Sequence, residues 1–134
     1  MNMRVLTATA VAFIVIFIFG WILHGILLVD HYAALPEVFR PQAEMRDYFI
    51  WLFGGQLLVA LALVSLLNMH SDNLSTALGL RFGFFMALLS IGSQLISYSS
   101  LSALSLELLG WWVIGSLVQM TLMGALLADI LKDE

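Results

Sequence analysis

The stretch VLTATAVAFIVIFIFGWILHGILLV, residues 5–29, contains no Asp, Glu, Lys or Arg. Three further stretches share this property: residues 48–69, 82–106 and 108–128. Each is longer than the roughly 18 to 20 residues that a helix needs to cross about 30 Å of hydrocarbon. Because lipid offers the backbone no hydrogen-bond partner, spans this apolar are expected to be helices. The sequence therefore predicts one all-α transmembrane domain over residues 1–134, an integral membrane four-helix bundle with an interfacial loop at residues 30–47.

The composition also places the chain in a membrane. Its 134 residues are 62% hydrophobic and only 10% charged, and the mean hydropathy is +1.02, whereas soluble domains are about half apolar and a quarter charged. The net charge of −4 and the absence of clustered Lys and Arg argue against a nucleic-acid partner. With no cysteine, the chain has no disulfide, no thiolate nucleophile and no Cys-based metal site.

The few basic residues indicate the orientation. Four spans put both termini on one side, and Arg4, Arg81 and Lys132 then lie on that side, opposite Arg40 and Arg46. The bias of positive charge toward the cytoplasm favours cytoplasmic N- and C-termini. We therefore predict a multi-pass protein of a bacterial inner membrane, with the loop at residues 30–47 outside.

Small residues recur at the spacing that close helix packing requires. Gly79 with Gly83, and Gly124 with Ala128, form small-xxx-small pairs, which let helix backbones approach one another in membranes. The third span adds a polar stripe that includes Ser90, Ser93, Gln94 and Ser97. This stripe is expected to face the bundle interior or a partner, because hydroxyl and amide groups facing lipid lack strong hydrogen-bond partners.

Most polar residues of the spans fall toward the side of the loop at residues 30–47. His24 lies near the loop end of the first span, and Glu107 lies at the entrance of the fourth. We predict a polar vestibule closed at its other end, where the spans are largely aliphatic. Its candidate ligand-binding residues are His24, Asp30, His31, Gln56, Gln94, Tyr98, Glu107 and Gln119, of which Gln119 is the deepest.

The two histidines of this region admit several interpretations. His24 and His31 are two helical turns apart and share a face if the first helix continues past Val29. The favoured interpretation is that His24 donates a hydrogen bond to a neighbouring helix and that His31 is solvated at the headgroup level. No three-ligand metal motif is present, so we expect no metal and no cofactor, with haem or metal held by His24 as the alternative.

The loop carries charges and is flanked by aromatic residues. Arg40 and Glu44 lie at i,i+4 spacing, which predicts a weak exposed ion pair. In the functional interpretation Arg40 or Arg46 contacts a lipid phosphate or a partner's carboxylate. The aromatic residues at this boundary are interpreted as an interfacial belt; they are Trp21, Tyr32, Tyr48, Trp51, Trp111 and Trp112.

Three stretches carry a resemblance to a known family: GWILHGILLVDHY at residues 20–32, GLRFGFFMALLSIGSQLISY at 79–98 and LLGWWVIGSLVQMTLMGALLADIL at 108–131. In these stretches the chain resembles small bacterial four-span membrane proteins, including the family called domain of unknown function 1761. The resemblance implies a bacterial inner-membrane location. It implies no activity and no functional residues.

The sequence shows no nucleophile elbow, no phosphate-binding loop and no dinucleotide fingerprint, so we expect a protein that is not an enzyme. The favoured function is an accessory or assembly subunit, or a homo-oligomeric scaffold, whose partners are the lipid bilayer and either copies of itself or another membrane protein. One alternative is a homo-oligomeric channel or transporter for a small polar solute. The other is a haem- or metal-binding membrane subunit centred on His24.

Overall fold

The computed structural model describes residues 2–132 and contains helices but no strand over that range. It confirms the all-α fold with four helices long and apolar enough to cross a membrane. The α-helices are α1 (Met3–Gly20), α2 (Val29–Ala33), α3 (Phe49–Asn68), α4 (Thr76–Ser100) and α5 (Leu106–Leu131). A π-helical segment, Trp21–Leu27, continues α1, and 3₁₀ turns at Gln42–Tyr48 and Ser71–Asn73 precede α3 and α4.

Side-chain caps set where three of these helices begin. The Asn2 carboxamide oxygen accepts the Arg4 backbone N–H at 2.8 Å. Ser75 and Ser105 do the same at the starts of α4 and α5, accepting backbone N–H groups at 3.2 and 3.1 Å. Each cap satisfies an N–H group that the helix itself leaves without a partner.

These caps correct two predicted span boundaries. The ranges 82–106 and 108–128 were bounded by the charges of Arg81 and Glu107, whereas α4 runs from Thr76 to Ser100 and α5 from Leu106 to Leu131. Both charged side chains are exposed within the helical segments. A long charged side chain can reach water from a helix end, so a charge does not end the helix.

Helix α5 is the central element of the packing. Helix α4 packs almost entirely on α5, while α1 packs on both α3 and α5. The main core is built from aliphatic and small residues of α1, α3 and α5, and includes Ala12, Val64 and Leu127. A second apolar cluster forms on the loop side around Leu28 and Leu108.

The predicted packing residues lie where α4 and α5 come closest. A Cβ atom added at Gly79 would lie 2.6 Å from Ala128 Cβ and would collide with the Gly124 carbonyl. One added at Gly83 would lie 2.8 Å from Thr121 Cα. This close approach requires glycine at both positions on α4, because the nearest obstructing atoms, the carbonyl oxygens of Gly124 and Met120, belong to the backbone of α5.

At the end of the α4–α5 pair opposite the loop of residues 30–47, the two helices are held by polar contacts that were not predicted from the sequence. The Thr76 hydroxyl donates to the Asp129 carboxylate at 2.7 Å. The Lys132 ammonium donates to the same carboxylate oxygen at 2.9 Å. The first of these exposed bonds connects the first turn of α4 to α5, and the second lies at the C-terminal end of α5.

The outward faces of the long helices are apolar. Ile14, Leu58, Leu89 and Leu122 lie on four different helices and are 52, 69, 69 and 62% exposed. Large aliphatic side chains at this exposure on every helix are suited to lipid rather than to water. The chain is therefore a multi-pass membrane protein.

Candidate functional site

A π-helix places His24 at the loop end of the first span. The segment Trp21–Leu27 is π-helical over the sequence WILHGIL, and the Leu28 N–H donates to the Leu23 carbonyl at 2.9 Å, an i→i−5 bond. Helices of this kind are rare, and those that occur are often found at functional sites. The wider turn changes the direction in which His24 projects, compared with a continuous α-helix.

His24 ends a chain of hydrogen bonds that joins three elements. The Trp112 indole N–H, on α5, donates to the Tyr32 hydroxyl oxygen at 2.9 Å. That hydroxyl lies 2.5 Å from Nδ1 of His24. Because an indole can only donate, the proton of the Tyr32 hydroxyl is available for Nδ1. No described residue bonds Nε2 of the exposed His24 ring.

Aromatic packing fixes this chain in place. The His24 and Tyr32 rings stack with centroids 5.9 Å apart, and Phe39 packs at 4.7 Å from Tyr32 and edge-on to Trp112 at 6.2 Å. Burial raises the pKa of Tyr32 above its ordinary value of 10.0, and the bond from Trp112 opposes that shift. Tyr32 is thus a neutral hydroxyl that can donate at neutral pH.

His31 takes a different partner from His24. Its Nε2 lies 3.3 Å from the Glu107 carboxylate, which is 70% exposed in the first turn of α5. The condition for a shared helical face of the two histidines is not met, because the first helix does not continue as an α-helix past Gly20 and Leu28 interrupts it at φ −106° and ψ 4°. Asp30 is exposed between these groups.

The polar stripe of α4 meets α5 inside the span. The Gln94 amide donates to the Ser116 hydroxyl at 2.7 Å and to the Ser90 hydroxyl at 3.2 Å. Ser90 and Ser116 also lie 3.2 Å apart. The Gln94 carbonyl oxygen is buried without a hydrogen-bond partner. Gln119, one turn further along α5, is half-buried.

Two other predicted residues face neighbouring helices. Gln56 lies against α1, with its amide nitrogen 3.6 Å from the point where a Gly20 Cβ would be, and its carbonyl oxygen is buried without a partner. Tyr98 is half-buried against the loop-side apolar cluster. Both side chains contribute to contacts between helices.

The ion pair predicted between Arg40 and Glu44 is wrong. The Arg40 guanidinium carbon lies 3.8 Å from the centroid of the Tyr48 ring, and no carboxylate of residues 2–132 pairs with it. The i,i+4 spacing assumed an α-helix, but Gln42–Tyr48 is a 3₁₀ helix that begins after Arg40. Arg46 is exposed in the same turn.

The residues predicted to line one vestibule therefore divide into separate bonded groups. His24 bonds to Tyr32, His31 to Glu107, and Gln94 to a pair of serines. Tyr32, Trp112 and Ser116 were not predicted to belong to the site. Their residue types indicated an interfacial belt or ordinary helix packing. Their roles are seen only in bonds between distant residues, 80 positions apart for Tyr32 with Trp112 and 22 positions apart for Gln94 with Ser116.

In the part of the chain that the structure describes, no three His, Asp or Glu side chains come together in a way that could hold a metal ion. Comparison with family models, curated proteins and solved structures gave no match.

Proposed function

We propose that the protein is a non-enzymatic, multi-pass protein of a bacterial inner membrane that acts as an accessory or assembly subunit or as a homo-oligomeric scaffold. Its termini are cytoplasmic, as the distribution of basic residues favours. The observation that carries the proposal is the position of α4, which has one helix neighbour, α5, over most of its length. The rest of its surface is open to a partner helix.

The open surface of α4 is suited to a helix rather than to lipid alone. The Ser93 hydroxyl is exposed and makes no hydrogen bond to a described residue. A Cβ atom at Gly92 would have no neighbour within 4 Å. A small residue beside an unsatisfied hydroxyl lets a second helix approach closely and bond to it, which favours association in a membrane.

The bonds on the loop side support a structural role for those residues. Trp112, Tyr32 and His24 satisfy one another across α5, α2 and the π-helical segment. Such bonds fix the positions of these three elements. A fixed frame is what an assembly subunit needs to present α4 to a partner in one orientation.

Cysteine cross-linking in native membranes tests this proposal, since the chain contains no cysteine. The variants are Ser93→Cys and, as the control, Leu95→Cys, which is 49% exposed on nearly the opposite side of α4 at similar depth. We expect Ser93→Cys alone to cross-link, either to a second copy or to a larger protein that mass spectrometry identifies. Equal cross-linking at both positions, or none at either, would contradict the proposal.

His24 supports a second candidate function, as one axial ligand for haem. Its Nδ1 is bonded to Tyr32 while Nε2 has no partner in residues 2–132, and a ligating histidine usually has its other nitrogen bonded in this way. Haem titration of the purified protein, followed by absorbance, tests this function. His24→Ala should abolish a specific spectrum and His70→Ala should retain it, because Nδ1 of His70 lies 3.3 Å from a backbone carbonyl at the opposite end of the spans. No specific spectrum from the unaltered protein would reject this candidate.

A further inference from the structure

Two adjoining surface depressions between the loop and the start of α3 share four lining residues, and we treat them as the two halves of one shallow groove. Its polar half, about 510 Å³, is lined by Pro36, Glu37, Arg40, Pro41, Glu44 and Tyr48. Its apolar half, about 620 Å³, adds Met45, Trp51 and Leu52. Val38, Phe39, Arg40 and Tyr48 line both halves. We call this feature the Arg40 groove.

The charges of the polar half have no ion-pair partners among the described residues. Arg40 lies over Tyr48 at 3.8 Å, an arrangement that occupies one face of the guanidinium and leaves its edge able to donate. No ion pair joins Arg40, Glu37 or Glu44 to another side chain of residues 2–132. One cation and two carboxylates therefore line the same small space.

The groove lies at the level of lipid headgroups. The span that begins at Gln42 runs through the 3₁₀ helix into α3, and Trp51 is 74% exposed in the first turn of α3. Tyr48 and Trp51 at the start of a span are typical of the membrane–water interface. The polar half then faces the aqueous side and the apolar half extends toward the hydrocarbon.

We propose that the Arg40 groove binds one phospholipid with a phosphoethanolamine headgroup. Arg40 binds the phosphate, for which a guanidinium edge is a good match. Glu37 and Glu44 bind the primary ammonium, and an acyl chain lies along Met45, Trp51 and Leu52.

This charge pattern distinguishes between headgroups. A choline headgroup presents the same phosphate, but its quaternary nitrogen has no N–H to donate to a carboxylate. A glycerol headgroup carries the phosphate and no cation, so Glu37 and Glu44 would repel it. A charge-assisted hydrogen bond is worth about tenfold in affinity, which sets the expected preference for phosphatidylethanolamine.

The test is native mass spectrometry of the full-length protein after delipidation, titrated with dioleoyl phosphatidylethanolamine, phosphatidylcholine and phosphatidylglycerol. We expect one phosphatidylethanolamine to bind about tenfold more tightly than either of the other lipids. Equal binding of the three, or preference for phosphatidylglycerol, overturns the proposal. Soluble glycerophosphoethanolamine should not compete at matched concentration, and if it competes as well as the lipid, the apolar half is not part of the site.

Three variants assign the roles within the groove. Arg40→Gln should weaken binding of every phospholipid about tenfold, because each carries the phosphate. The double variant Glu37→Gln with Glu44→Gln should remove the preference for phosphatidylethanolamine over phosphatidylcholine and keep phosphate binding. Arg46→Gln is the control, since Arg46 lies in the 3₁₀ helix beside the groove but does not line it. Loss of binding in Arg46→Gln equal to that in Arg40→Gln would show nonspecific attraction by positive charge and would overturn the assignment.

Discussion

Replacing Gly83 with alanine tests whether contact between backbones sets the α4–α5 interface. The new Cβ would lie 2.8 Å from Thr121 Cα and 2.9 Å from the Met120 carbonyl carbon, whereas ordinary contact begins near 3.4 Å. The Met120 carbonyl oxygen would lie closer still, so the two helices must separate locally by more than about 0.6 Å, the difference between 3.4 and 2.8 Å. No side-chain rotation relieves this contact, because the obstructing atoms are backbone.

The expected cost follows from that separation. A gap of 0.5 to 1 Å removes about a quarter to a half of the dispersion energy of each atom pair across it, and overpacking of a filled interface costs about 1–3 kcal/mol. Alanine also favours the helix by about 0.5–1 kcal/mol relative to glycine. The Gly83→Ala variant should therefore lose about 1–2 kcal/mol of unfolding free energy.

Gly54 is the matched control, because it is exposed in α3 and an added Cβ would meet nothing within 4 Å. The Gly54→Ala variant has the helix preference without the clash and should gain up to about 1 kcal/mol. The two variants then differ by about 2 kcal/mol, roughly 30-fold in the unfolding equilibrium constant. Unfolding by SDS in mixed micelles, followed by tryptophan fluorescence, measures this difference. Equal midpoints for both variants would refute the argument that α4 and α5 meet through their backbones.

Four further predictions follow from the polar contacts. Tyr32→Phe should cost about 1–3 kcal/mol, because it leaves the Trp112 N–H without its acceptor, whereas Tyr98→Phe should change little, since that hydroxyl has no bond to a described residue; equal effects in the same SDS assay would contradict this. Because burial raises the pKa of Tyr32 above 10.0, the folded protein keeps a proton that the unfolded chain releases, so stability is full below pH 10 and falls as pH rises through the folded pKa. Thermal unfolding of the unaltered protein should show this fall more strongly than that of Tyr32→Phe. Gln94→Leu should change the unfolding free energy by less than about 1 kcal/mol, since interhelical bonds in membranes average about 0.6 kcal/mol and the variant removes a buried carbonyl without a partner; a loss above 2 kcal/mol would show a larger role. Glu107→Gln should cost under about 1 kcal/mol, because the Glu107 carboxylate that contacts His31 is 70% exposed, and a larger loss in the same assay would contradict this.

The four spans could be predicted because hydrocarbon imposes a length and a composition that the sequence displays directly. Their ends were less accurate, since the charges of Arg81 and Glu107 were taken as limits. The serine caps at positions 75 and 105 are visible in the sequence and mark the true starts of α4 and α5. Capping residues are therefore better markers of these helix starts than charges are.

The hydrogen-bonded site could not be predicted in the same way. Residue type and position place Tyr32 and Trp112 at an interface, but their bond joins residues 80 positions apart. The π-helix around His24 could not be predicted either, since no periodic pattern of the span distinguishes i→i−5 from i→i−4 bonding. The ion pair of Arg40 with Glu44 was also predicted wrongly, because the i,i+4 spacing assumed an α-helix where the chain forms a 3₁₀ helix.

The loop side of the molecule therefore contains two kinds of polar group with different consequences for mutation. Tyr32 and Trp112 are bonded to each other, so their energy is part of the fold and their loss should lower stability. Arg40, Glu37 and Glu44 have no ion-pair partners in residues 2–132, so replacing them removes no ion pair from the fold. If this separation holds, the double variant at Glu37 and Glu44 should unfold at the same SDS concentration as the unaltered protein while losing its preference among headgroups. A variant that lost both properties together would show that the Arg40 groove supports the fold as well as the ligand.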